Sequence, residues 1–383
     1  MDFTFTEEQL AVREAADGVF SGLVDPERVA AIEATEDRID RELWGALAAA
    51  DLLGLGVPVE FGGGGLGLSE LCLVLEAQGA CVAPVPLWAT LVLGALPLAW
   101  FGSPELRARW LPPVAAGEVF LSAALAGSAE SASGTPAVKA EETPEGWRLT
   151  GTEMAVPQAH LATRVVVPAR TADGAVLLAL VDPSGAGVAL ERAWTTNREV
   201  HPHLHLQGAL VRGDEVLVGP DNGAAALSAT LQAAWTGLCA LAVGLSESAL
   251  AMTAAYLNER EQFGRPLSAF QGAMLRAADA AIDIEAMRVT LWQAAWRIDT
   301  GRDAARAVAV AKWQAAERGQ RVVHATQHLH GGIGADISYP IHRYFLWGKQ
   351  IELQLGGPSR QLARLGRLIA EGASEPAAEG VGR

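Results

Sequence analysis

At 383 residues, half of them apolar and 19% charged, the chain is long enough for two or three domains and too apolar to be disordered as a whole. Its 44 acidic against 29 basic residues give a net charge of -15 with no basic stripe, which argues against nucleic acid as a partner. Three cysteines without CxxC spacing predict buried thiols in a reducing compartment.

The opening "MDFTFTEEQL" carries acids where a signal peptide carries bases, so a cytoplasmic protein is expected. Thr6 and Gln9 form a capping-box pattern that starts a helix. In "DRELWGALAAADLLGLGV" Leu43, Leu47, Leu52 and Leu53 fall near one helical face. "EFGGGGLG" reads as a turn; no Lys-Ser/Thr follows to make it a phosphate loop. From Ala77 to Pro104 no residue is charged, which is long enough to span a membrane. Pro84, Pro86 and Pro97 interrupt the run and no basic anchors flank it, so two short buried helices and no membrane span are expected. Residues 1–115 therefore read as an N-terminal helical domain.

Between Val119 and Val218 the pattern changes to short β-type runs, "FLSAAL", "WRLTG", "TRVVVPA", "VLLALVD", "GALVRG" and "VLVG", predicting an all-β middle domain over 116–222. Helices return after "GPDNG" and give a C-terminal helical domain over 223–371, then a small, polar, flexible tail over 372–383. Ile284, Met287, Leu291, Ala295 and Ile298 recur at three- and four-residue spacings and commit one face to a core or a partner helix. No metal site is expected. His201, His203 and His205 alternate on one strand face, with the outer two about 13 Å apart, and no Glu separates His324 from His328 as in a zinc-binding helix.

Two clusters carry the chemistry. In "NEREQFGRPLSAFQ" an arginine at a helix end, a phenylalanine three residues on and Gly-Arg-Pro set a bidentate phosphate ligand beside an apolar anchor and a sharp turn. The bland alternatives are a surface Arg260 paired with Glu259 or Glu261, and Phe263 and Phe270 as core residues. In "HLHGGIGADISYPIHRY" adjacent glycines let a ligand approach backbone N–H groups. In this order, behind a helix-then-strand layout, the clusters resemble the acyl-CoA dehydrogenase family over nearly the whole chain. The resemblance implies an α+β architecture: an N-terminal helical domain, a β-barrel-like middle domain and a C-terminal four-helix bundle. It implies FAD and an acyl-CoA thioester, with α,β-desaturation by a glutamate that removes the α-proton. It also implies that Arg260, Gln262, Phe263, His328, Gly331 and Gly332 hold the FAD of a neighbouring subunit. His328 stands where the family usually has Gln.

The departures are as informative as the matches. Counted from Gly331, the family's base position falls on Leu355, with Gly356 beside it, and residues 222–246, the other address of that glutamate, hold no Asp or Glu. Neither site offers a group that takes a proton, so no catalytic residue is assigned. "ALAGSAESASG" and "EMAVPQ" replace the loops with which relatives hold their own flavin; Ala155 offers no ring and Pro157 no N–H. This asymmetry resembles the β-type subunits of actinobacterial α2β2 acyl-CoA dehydrogenases acting on sterol side-chain CoA thioesters. It implies a catalytic sister subunit with which FAD is shared. The alternatives are a homomeric flavoenzyme with a relocated base, Glu352 being the nearest candidate, and a flavin-free scaffold.

Overall fold

The structure, a computed structural model, describes residues 4–131 and 134–373. The first three residues, two of the "ALAGSAESASG" stretch and the tail from residue 374 lie outside the described residues.

Thr6 Oγ1 accepts from the Gln9 amide at 3.2 Å and Gln9 Oε1 accepts from the Thr6 amide at 3.1 Å, so the reciprocal cap starts α1 (Glu7–Leu23). Asp25 and Asp40 cap α2 (Pro26–Glu33) and α3 (Arg41–Ala49) in the same way, each accepting a backbone N–H of the first turn. The apolar pattern runs further than α3 does. Asp51 turns left-handed, with φ 58°, and Leu52 and Leu53 reach the core from the turn that follows. After α4 (Leu68–Cys81), a buried helical stretch runs from a wide-turned segment, Trp88–Ala95, into α5 (Leu96–Phe101), and α6 (Pro104–Ala115) closes this region. The uncharged run thus packs inside the protein as the end of one helix and the whole of the next.

The middle region contains β1 (Leu121–Ala123), α7 (Ala126–Glu130), β2 (Val138–Thr143), β3 (Gly146–Glu153), β4 (Arg164–Arg170), β5 (Val176–Val181), β6 (Val188–Glu191), β7 (His203–Arg212) and β8 (Val216–Val218). The sheet runs β6-β7-β3-β2-β4-β5-β8, with β1 parallel to β4 at its side. The alternation pattern missed β2, whose exposed face is rich in charge, and the four-residue β6, and it missed α7 inside a stretch read as all β. His201 precedes β7, so only His203 and His205 share a strand face. His203 Nδ1 accepts from the Ala155 amide at 3.0 Å, and His205 lies 3.0 Å from Glu191 Oε2. Among the described residues no group of three His, Cys, Asp or Glu is placed to hold a metal.

The last region consists of α8 (Pro220–Glu259), a hairpin of β9 (Glu261–Gln262) and β10 (Arg265–Pro266), α9 (Gln271–Asp299), α10 (Ala305–Leu329), α11 (Ile341–Leu353) and α12 (Pro358–Ala373). The helix α8 is long and apolar enough to cross a membrane, yet 61% of its most apolar window is buried inside this fold. It packs along α4, α9 and α10 at the centre of a large helical core. Ile284, Met287, Leu291 and Ala295 are buried on α9 as their spacing requires, with Ile298 packed against the edge of that core.

Candidate functional site

The first cluster is built at the end of α8. Arg260 leaves the helix in an extended conformation while its amide still donates to the Tyr256 carbonyl at 2.9 Å. Arg265 then pairs with Gln262 and Pro266 with Glu261, so the chain reverses over Phe263 and Gly264. Both have positive φ, 55° and 77°, the signature of the two-residue hairpin turn whose twist suits paired strands. The amide of Leu267 donates to the Arg260 carbonyl at 2.8 Å and ties the hairpin base.

This geometry thrusts Phe263 outward. It is 93% exposed, touching Phe270 edge-on with ring centres 6.2 Å apart, and Arg265 sits 4.1 Å over the Phe270 ring. The reading of Phe263 as a core residue is thereby overturned. Among the described residues Arg260 makes no ion pair with Glu259, Glu261 or any other carboxylate. The Gln262 side chain donates to the neighbouring Glu261 carbonyl, at 2.7 Å.

The second cluster follows α10. His328 occupies the last turn of that helix and is exposed; Gly331 has φ 63° and opens a short 3-10 turn. A Cβ built on Gly332 would meet nothing within 4 Å. Packing within this chain therefore does not require glycine there, and the bare backbone faces outward.

The two clusters are held together by residues the sequence reading passed over. Tyr256, one turn before Arg260, stacks on His330 at 4.6 Å, and Tyr339 packs against both rings. His330 Nδ1 meets the Thr326 carbonyl at 2.8 Å, which fixes its ring plane. A groove of ≈ 630 Å³ between α9 and α10 takes in His328 together with Arg276, Ile282 and His324. Asp283 at its floor is bound by Arg318 and Arg321. Of the six residues expected to touch a neighbour's cofactor, only His328 lines this groove; the other five stand on the adjoining hairpin and turn.

The base position presents the opposite picture. Leu355 is buried and left-handed, φ 55°, and its carbonyl accepts from Trp235 Nε1 at 2.9 Å and Gln361 Nε2 at 3.3 Å. Lys312, wholly buried on α10, donates to the carbonyls of Ile351 at 2.8 Å and Glu352 at 3.2 Å and so fixes the end of α11. Burial pushes its ammonium down to about 8. Around Leu355 lies a cavity of ≈ 200 Å³ whose walls include Trp88, Leu125, Ala155, Pro157 and Leu353. Its only lining carboxylate is that of Glu130, at the exposed end of α7. Glu352 does not line it, and its side chain is joined to Lys349 at 2.5 Å. Nearby, Glu153 is fully buried and accepts from the Gly127 amide at 3.0 Å; burial pushes its carboxyl up to about 7.

Comparison with known proteins places these features in a family. Residues 6–118 match the acyl-CoA dehydrogenase N-terminal domain and 221–367 the acyl-CoA dehydrogenase C-terminal domain. The acyl-CoA dehydrogenase FadE27 of Mycobacterium tuberculosis is 39% identical over 97% of this chain and 99% of its own length. FadE28 of the same organism is 33% identical over 96% and 98%. Among solved structures, a chain of a Tcur3481–Tcur3483 steroid ACAD variant superposes with a TM-score of 0.91 at 47% identity, covering 96% of this chain and 99% of that one. A chain of the ChsE4–ChsE5 complex from Mycobacterium tuberculosis gives 0.90 at 40% identity, covering 98% and 100%.

Proposed function

The chain belongs to the acyl-CoA dehydrogenase family, and we propose that it is the non-catalytic subunit of a heteromeric, FAD-dependent member, completing the FAD site of a catalytic sister chain. The observation that carries this reading is the contrast between the hairpin after α8 with the turn after α10, and the far end of α11. In the first, an arginine with no carboxylate partner among the described residues, an almost fully exposed phenylalanine and an unhindered glycine backbone face out of the molecule. In the second, the position of the family's proton-abstracting glutamate is a buried aliphatic side chain in the wall of a small, mostly apolar cavity.

The outward set suits an FAD pyrophosphate. A guanidinium gives charge-assisted, bidentate bonds to phosphate, and exposed backbone N–H groups at a turn add donors without steric hindrance. The flavin, when bound, supplies the hydride acceptor for desaturation of an acyl thioester; this chain's part is to hold and orient it for its neighbour. The interior does not suit a flavin of its own. A cavity of ≈ 200 Å³ is on the scale of one six-membered ring, since about 150 Å³ takes benzene, and Ala155 and Pro157 offer neither a stacking face nor a donor. The relocated-base alternative needs Glu352, which is paired with Lys349 outside the cavity wall.

Both solved neighbours are named for two different chains, and one is titled a steroid ACAD. This supports a sister subunit as partner and a sterol side-chain CoA thioester as substrate. Co-expression with the sister chain should give a complex with one FAD per pair of subunits, active on such a thioester. The chain alone should be colourless. A yellow, active assembly of this chain by itself would overturn the reading.

A further inference from the structure

We propose that the cavity around Leu355 is a binding site for a small neutral ring compound bearing one carbonyl or hydroxyl oxygen, which His201 holds.

His201 is only 2% exposed, yet neither ring nitrogen has a hydrogen-bond partner among the described residues. Its Nε2 is 3.3 Å from Glu199 Oε2 but outside hydrogen-bond geometry, and that carboxylate already accepts from Gln158 Nε2 at 2.9 Å and Asn197 Nδ2 at 2.8 Å. A buried imidazole left unbonded is costly, and such groups are rare in native proteins unless something fills the vacancy. The ring lines the ≈ 200 Å³ cavity and also a ≈ 20 Å³ pocket behind it, with Trp88, Gln350 and Gln354 shared between the two. The smaller space suits a water; the larger is a ring-sized chamber with His201 in its wall.

The chamber walls have not been filled in. Ala123, Ala126 and Ala155 stand where larger side chains would close the space. Ala155 and Leu355 in its walls, and Gln158 in the wall of the smaller pocket behind it, all hold left-handed backbone, with φ of 49°, 55° and 42°. Left-handed non-glycine residues tend to collect at functional sites, where the surrounding structure holds them in place. Apolar walls of Trp88, Leu93, Leu125, Leu353 and Pro157, with Gln350 and Gln354 engaged in their own hydrogen bonds, Glu130 at the exposed end of α7 and His201 as the buried polar side chain left without a bond, describe a pocket for an uncharged ring with a single oxygen. Engineered cavities of about 150 Å³ take benzene, so a ring with one or two further atoms matches this volume.

This inference rests on the reading that the chain holds no flavin of its own. The test is saturation-transfer NMR on the complete heteromer with benzyl alcohol and toluene, which share a ring and differ by the hydroxyl. Benzyl alcohol should bind about tenfold more tightly, the scale of one hydrogen bond in affinity. His201→Leu should collapse that preference to less than about threefold, and Ala126→Leu, which fills the part-exposed mouth, should weaken both probes by at least about tenfold. If the first variant fails to fold, the second decides. Equal affinities in the wild type, no binding of either probe, or binding undiminished by Ala126→Leu would overturn the proposal. Flavin content of the isolated chain is measured alongside. A colourless chain that binds neither probe defeats this inference alone, whereas a yellow one defeats the functional reading beneath it.

Discussion

The hairpin at Arg260 and the wall at Leu355 lie at opposite ends of the same logic. At the hairpin and the turn beside it, among the described residues, Arg260 pairs with no carboxylate, Phe263 is almost fully exposed beside Phe270, and a Cβ on Gly332 would meet nothing within 4 Å. At the wall, almost everything is satisfied internally, with the Leu355 carbonyl doubly bonded and the end of α11 held by a buried lysine. Surface that stays incomplete in isolation is informative about what docks on it, because exposed aromatic rings and unpaired arginines are typical anchors of interfaces. His201 is the exception within the wall.

The largest expected effect tests the interior. Burial holds the Glu153 carboxyl at about 7 against an ordinary 4.5, so the folded chain binds that proton more tightly than the unfolded chain does. Its contribution to stability is complete below about pH 4.5 and is lost as pH rises through about 7. Glu153→Gln should therefore stabilise the protein at pH 8 by up to about 3 kcal/mol and change little at pH 4.5. Denaturant titration at the two pH values measures it. Equal shifts at both would mean that the carboxylate is solvated in the folded state.

Next in size is the hairpin. Arg260→Ala in the reconstituted complex should cost about 1.5 to 3 kcal/mol of FAD binding, roughly ten- to a hundredfold in affinity. Lysine should restore only part, since it keeps the charge and loses the planar fork. FAD retained through gel filtration is the readout, and retention equal to wild type would erase the contrast between the two regions.

Phe263→Ala sharpens the contrast by separating folding from docking. A side chain 93% exposed contributes little to the fold, so the change in stability of this chain should stay within about 0.5 kcal/mol. Cofactor retention in the complex should still fall severalfold, matching an aromatic contact of about 0.5 to 1.5 kcal/mol. A large loss of stability in this chain alone would show that the ring serves its own fold.

Legibility followed the range of the signal. The cap at Thr6 and Gln9, the buried stripe from Ile284 to Ala295 and the Arg-x-x-Phe-Gly-Arg-Pro hairpin each depend on residues within a turn or two of one another, and each was readable from spacing. The stack of Tyr256 on His330 joins α8 to the turn after α10, and Lys312 finds its acceptors far along the chain in α11. Local patterning carries no trace of such pairs. The end of α3 was missed because Leu52 and Leu53 continue the apolar pattern while Asp51 breaks the helix. His201 was grouped with His203 and His205 by alternation, although β7 begins only at His203.

The smallest expected effect is the sharpest discriminator of where catalysis resides. Glu352 is the carboxylate nearest in sequence to the empty base position, and an enzyme that relocated its base would depend on it. The side chain is instead buried against Lys349 and stands outside the wall of the cavity around Leu355. A general base must come within hydrogen-bond reach of the proton it removes. Glu352→Gln keeps the shape and leaves the backbone carbonyl free to accept from Lys312. Its cost should be confined to one part-exposed ion pair, about 1 kcal/mol or less of stability. Turnover of the complex should remain within about twofold of wild type, since the proposed function assigns proton removal to a carboxylate on the sister chain. Steady-state rates with FAD content measured in parallel decide the matter: abolished turnover with intact flavin would move the base into this chain and reverse the roles assigned to the two regions.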